Sequence, residues 1–247
     1  MSLETTLLLI SYLTGFALFI SAAELLWLSR VREFQEIWSL DNLRAELSSA
    51  LPTFLIDPLF SLKGFRIILS LQIILSLCLY FFSSPWIVLG LLLTHLLICI
   101  RFRGTFNGGS DMMTMVVLTG LLVGGKAGLI YISIHTLYSY FKAGLVKVKQ
   151  ADWRQGRALP AFFQRSLFKD VQNLAGKIPY PKTLGYFVII FELSILLILL
   201  KPELTVLYFT AALLFHFINY LTFGLNRFFW IWLAAWPAVF YFTGANS

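Results

Sequence analysis

Charge is scarce in this chain: 12 acidic and 19 basic side chains among 247 residues, 13% in all. Hydrophobic residues make up 59% and the mean hydropathy is +0.81, which excludes an ordinary water-soluble globule. Cysteine is scarcer still. Cys78 and Cys99 both fall in apolar segments with no Cys-x-x-Cys spacing, so neither a redox dithiol nor a zinc motif can be read and both look like small buried hydrophobes. No basic stretch precedes the first apolar run, which is too long for a signal peptide and is expected to stay in the mature protein. Internal repeats and matched pairs of broken helices are missing too, which leaves a transporter little support.

What the chain does have is long, continuous apolar runs. In lipid only helices or a closed barrel satisfy the backbone, and these runs do not alternate, so the expected fold is all-α, a polytopic helical membrane protein. Eight segments are expected, roughly 5–29, 65–84, 86–100, 111–124, 126–148, 184–200, 204–224 and 228–243. They are expected to form one bundle with amphipathic surface helices, a single transmembrane domain over residues 1–247 with no soluble domain. With eight crossings Lys126 and Lys201 fall on one side and the remaining seventeen basic residues on the other. The positive-inside rule then puts the basic loops in the cytoplasm and both termini outside, as in a bacterial inner membrane. Basic residues beside membrane segments, without a nucleic-acid-binding motif, argue against a nucleic-acid partner.

The surface elements follow from periodicity. Trp38, Leu40, Leu43 and Leu47 can share a helical face, and residues 51–60 are too apolar to float in water. Ser83-Ser84-Pro85-Trp86 turns one segment back on the next. Between residues 159 and 178, Leu159, Phe163, Leu167, Val171, Leu174 and Ile178 recur at intervals of three and four, which predicts a helix lying flat on anionic headgroups. Phe228, Trp230, Trp232 and Trp236 read as an aromatic anchor.

Polar groups inside apolar segments are the candidates for function. Glu24 stands near the end of the first segment. All three histidines, His95, His135 and His216, lie within apolar segments, and Glu192 stands near the middle of another. A lone carboxylate at that depth costs several kcal/mol unless protonated or paired. No two histidines stand at i, i+4, so no metal site is expected. The glycine-rich turn around Asn107 and Asp111 either caps the next helix or offers amides and an acid to a ligand. Lys147, one turn after Ala143-Gly144, also has two readings. It snorkels to the headgroups and marks a boundary, or, at the mouth of a dry bundle where the charged form is disfavoured, it is available as a base.

The stretch Tyr140-Phe141-Lys142-Ala143-Gly144-Leu145-Val146-Lys147, continuing to Asp152-Trp153 and Gly156, resembles the signature of the vitamin K-dependent gamma-glutamyl carboxylases and their bacterial relatives, the horizontally transferred transmembrane domain family. Asn107-Gly108-Gly109-Ser110-Asp111, Glu192, and His216 with Asn219 and Phe223-Gly224 match in the same chain order. The resemblance implies that Lys147 deprotonates a reduced isoprenoid quinone. It further implies that the oxidised quinone base then takes a proton from a peptide glutamate or a small molecule. His135, Asn107, Asp111, Glu192, His216 and Asn219 are the expected cofactor-binding set. The alternative is a non-catalytic membrane partner, or a maturation or immunity factor, for a peptide or a soluble redox enzyme.

Overall fold

The computed structural model describes residues 1–48, 52–102 and 109–244, apart from the side chains of Asn42, Leu43, Ala45 and Glu46. Asn107, and Leu43 as a member of the expected amphipathic face, therefore lie outside the described residues. Among the described residues the regular structure is helical and no strand occurs.

Each of the eight expected segments carries a helix: α1 (Leu3–Leu28), α5 (Leu62–Phe81), α6 (Pro85–Arg101), α7 (Gly109–Val123), α8 (Gly125–Lys149), α12 (Pro181–Ser194), α13 (Thr205–Phe223) and α14 (Asn226–Thr243). Short helices fill the connections: α2 (Arg32–Ile37), α3 (Leu40–Leu47) and α4 (Thr53–Phe60) before α5, and α9 (Ala151–Arg154), α10 (Ala158–Gln164) and α11 (Lys169–Leu174) before α12. By length and composition, four stretches are long and apolar enough to cross a membrane: Leu3–Leu28, Leu62–Phe81, Pro181–Leu199 and Pro202–Phe223. Pro85–Arg101 and Gly109–Val123 are apolar but shorter. In α8 the apolar run is interrupted by Lys126, Lys142, Lys147 and Lys149.

Local sequence explains several boundaries. Ser2 accepts the Thr5 amide at the start of α1, and Pro85 opens α6 at a position where its missing N–H costs nothing. Past Ser194, α12 tightens into a 3-10 turn over Ile195–Leu199.

The bundle is built around α14. Ala234, Ala235, Ala238 and Val239 have no exposed surface, and their small side chains let α1, α7, α8 and α13 close on it. Trp232 is 6% exposed and Trp236 2%. The last segment is thus the core helix rather than an interfacial aromatic anchor. A composition rich in tryptophan does not say which way the rings face, and here they pack with Phe209, Tyr140 and His216.

The surface segments differ from expectation in a similar way. Residues 159–178 form no single flat helix. Ser166 is buried, donates to the Thr222 carbonyl at 2.6 Å and accepts the Phe168 amide, which breaks the run between α10 and α11 and folds both back on the protein. Leu167 is left 86% exposed. Leu40 and Leu47 do pack beneath the α4 residues Ile56 and Phe60. Glu24 stays exposed and bonds Asn226 at the start of α14.

Candidate functional site

The last turns of α8 lie directly against α12. At Gly144 the two helices approach so closely that a Cβ would stand 3.0 Å from the backbone nitrogen of Leu193. One turn further on, that approach carries Lys147 to the neighbouring residue: its Nζ donates to both carboxylate oxygens of Glu192, at 2.7 and 2.8 Å. The lysine side chain is 16% exposed and the glutamate 3%. Glu192 thus has the partner that its depth in the bundle requires. Lys147 does not snorkel outward, and its cation also lies 5.1 Å from the centroid of the Trp153 ring, within cation–π range.

Residues after α8 fasten the same helix from outside. Trp153 on α9 is buried, and its carbonyl would stand 3.1 Å from a Cβ at Gly185 of α12. Gly156 has φ of +78°, and a Cβ there would meet the Lys182 nitrogen at 2.6 Å. Both the left-handed backbone and the contact require glycine. The exposed pair of Arg157 and Asp152 closes the turn between them. From Ala143 to Gly156, then, the chain is a clasp on α12, with Lys147 as its inward-facing charge.

Two turns before Lys147, on the same face of α8, the Tyr140 hydroxyl shares a 2.7 Å hydrogen bond with Nε2 of His216 on α13. Both are buried. Trp232 stacks on the imidazole at a centroid distance of 4.9 Å and meets Tyr140 edge-on at 4.7 Å. Phe191, the residue before Glu192, also meets Tyr140 edge-on, at 5.7 Å. The Trp232 indole N–H reaches the Gly109 carbonyl, tying α14 to the start of α7. His216 Nδ1 is buried with no hydrogen-bond partner among the described residues. The cavity beside His216, lined by Phe209, Leu213, Phe229, Leu233 and Trp236, is about 10 Å³, room for one water and no more.

The expected site residues separate into groups. Lys147, Glu192 and, through Tyr140, His216 come together on α8, α12 and α13. Asp111 lies elsewhere, on α7 beside His95 of α6, whose Nε2 is 3.3 Å from the Asp111 carbonyl. His135 stands twelve residues before Lys147, about 18 Å along the helix axis, half-buried against the Tyr131 ring. Asn219 spends its amide on the Phe215 carbonyl of its own helix. Neither of these two reaches the Lys147 group. Tyr140 was missing from the expected set, although its spacing of seven from Lys147 already put it on the same helical face. Nothing local in the sequence points to Trp232 as its neighbour, since that contact depends on how α14 is seated.

Residues 128–243, from early in α8 to the end of α14, match the family model of the HTTM domain. No curated protein and no solved structure gives a significant match.

Proposed function

We propose that this chain, a member of the HTTM family by the domain spanning residues 128–243, crosses the membrane eight times and uses the Lys147–Glu192 pair as a membrane-embedded proton-transfer site. The observation that carries the reading is the pair itself: an amine and a carboxylate 2.7 Å apart, the acid enclosed and the amine still partly accessible. Such a pair holds one transferable proton. With that proton on the Glu192 carboxyl, the Lys147 amine is free to take a proton from a substrate X–H, leaving X⁻ beside the new ammonium. Burial keeps water from competing for that proton, and Trp153 offers a flat face over which the cation forms.

The proposed proton donor is a reduced isoprenoid quinone, and the proposed substrate beyond it a peptide or small molecule. The chemistry of the donor set supports the reading: Lys147 would offer its amine to a quinol hydroxyl, with the Trp153 ring beside that amine. The enclosed space at His216 does not fit a quinol ring, so His216 and Tyr140 are assigned to holding α8, α13 and α14 in register rather than to ring binding. When bound, the quinol would supply the acidic hydroxyl and the redox chemistry. In this reading the chain lies in a bacterial inner membrane with Lys126 and Lys201 outside.

Organic extraction and mass spectrometry of the gently purified protein, wild type beside Lys147→Ala, is the test. Stoichiometric quinone in both, with turnover confined to the wild type, supports the proposal; ordinary lipids only, and no effect of Lys147→Ala on any activity, ends it. Single cysteines replacing Lys126 and Lys201 should label from the outside, and cysteines replacing Lys149 and Lys182 only from the inside. Labelling of all four from one side would end the eight-crossing reading.

A second reading is favoured by one observation, the cluster of exposed apolar side chains on the folded-back surface segment: Leu167, Phe168, Leu174 and Tyr180. In that reading the chain is a non-catalytic membrane partner of a peptide or a soluble redox enzyme. Co-purification of one stoichiometric protein, lost on Leu167→Asp but indifferent to Lys147→Ala, would favour it.

A further inference from the structure

Between α6 and the first turn of α7 a second group of polar side chains is buried, and its members are metal-ligand types. His95 and Cys99 stand four apart on α6 and therefore on one face of that helix. Asp111, in the first turn of α7, closes the group. The three are 6%, 1% and 7% exposed. One ligand atom from each, an imidazole nitrogen, the Cys99 sulfur and a carboxylate oxygen, lies within 4.8 Å of the other two. Beside them is a cavity of about 10 Å³ lined by Ser21, Ser110, Thr114 and Arg227 as well as His95 and Asp111, room for a single water-sized occupant.

We propose that His95 Nε2, Cys99 Sγ and the Asp111 carboxylate bind a divalent d-block ion, zinc in the first place, with its fourth position open to this cavity. The key distance is between the imidazole and the thiol. Around tetrahedral zinc, with bonds of about 2.3 Å to sulfur and 2.0–2.1 Å to nitrogen, the two ligand atoms stand roughly 3.5 Å apart. His95 Nε2 and Cys99 Sγ are 3.5 Å apart. Thiolate with imidazole selects zinc or its neighbours over magnesium and calcium, which prefer all-oxygen sites.

Charge and protons balance. As the metal–sulfur bond forms, the Cys99 thiol proton leaves to solvent, and the imidazole carries its remaining proton on Nδ1. A dication with one thiolate and one carboxylate is neutral as a unit, which lowers the cost of keeping Asp111 at this depth. Arg227 adds a positive charge at the cavity wall. The open position therefore suits hydroxide or a small anion better than a neutral ligand. The site shares no side chain with the Lys147–Glu192 pair and does not depend on it. The absence of histidine pairs in the sequence had hidden it, because the second ligand on the same helix is a cysteine.

The test is cobalt substitution and elemental analysis of the detergent-solubilised chain carrying no histidine tag. Wild type should hold about one zinc per chain. After exchange it should show the near-ultraviolet sulfur-to-cobalt charge-transfer band together with the intense visible bands of tetrahedral cobalt. Cys99→Ser should lose the charge-transfer band and most of the bound metal; Cys78→Ser, on α5, should keep both; Asp111→Asn should weaken binding at least tenfold. Wild type without bound zinc and without the cobalt band overturns the proposal, as does a Cys99→Ser protein with the wild-type spectrum. Should Cys99→Ser fail to fold, the band in wild type and in Cys78→Ser decides the matter, since Cys99 is then the one thiol left to give it.

Discussion

Gly144 of α8 sits where any Cβ would press 3.0 Å from the Leu193 nitrogen of α12. This close approach is what lets Lys147 reach Glu192. A methyl group at this point meets the Leu193 side chain, with Cγ at 2.9 Å, as well as its backbone nitrogen; the side chain can turn aside but the nitrogen cannot, so α12 must give way. Gly144→Ala should therefore cost about 1–3 kcal/mol, as overpacking does elsewhere. The midpoint of thermal unfolding in detergent should fall accordingly, and a larger residue such as Gly144→Val should lower it further. An unchanged midpoint would show that the helices are not held at this distance.

Gly156 faces a double constraint, a positive φ and the Lys182 backbone at 2.6 Å from a Cβ. Gly156→Ala should release the segment after α9 from α12 while the membrane helices stay folded. Limited proteolysis should then cut between residues 154 and 170 many times faster than in wild type. Equal cleavage rates would mean that the clasp does not depend on this turn.

How far the sequence foretold these features depends on the kind of information each one needs. The helices at all eight expected segments were legible because continuous apolar runs in a chain of this hydropathy leave the backbone little else to do. Lys147 and Glu192 were each legible as charges in apolar surroundings, but their pairing was not, since it links residues 45 apart through a helix packing that only Gly144 hinted at. The role of α14 was misread for a related reason. Trp232 and Trp236 have the composition of an interfacial belt, yet the alanines interleaved with and following them, at 234, 235 and 238, mark the face where other helices approach. His95 and Cys99 do stand at the i, i+4 spacing, but a mixed pair matches neither a histidine pair nor a Cys-x-x-Cys motif, so it carries no signature in the sequence. The break at Ser166 could not be read from periodicity, because it depends on a carbonyl 56 residues away.

Tyr140 and His216 allow a prediction about unpaired groups. Tyr140→Phe removes the hydroxyl and leaves an imidazole with both nitrogens buried and without partners, which should cost about 1–3 kcal/mol. Replacing both residues by apolar ones, Tyr140→Phe with His216→Leu, should cost less than the sum of the single changes, because no polar group is then left behind. Unfolding midpoints of the two single variants and the double variant measure the difference. Strict additivity would show that the 2.7 Å contact contributes nothing to stability.

The Lys147–Glu192 pair is where structural and chemical roles must be told apart. Removing one member of a buried ion pair leaves the other charge uncompensated and costs about 3–5 kcal/mol, whereas removing both is often nearly neutral. Lys147→Met alone and Glu192→Leu alone should each be strongly destabilising, and the double variant should recover most of the loss, a coupling measurable in a double-mutant cycle. Turnover gives the opposite pattern if the amine is a base: the double variant, though as stable as wild type, remains inactive, because stability can be restored by apolar packing but proton transfer cannot. A double variant that regains stability and activity together would assign the pair to holding α8 on α12 and to nothing more.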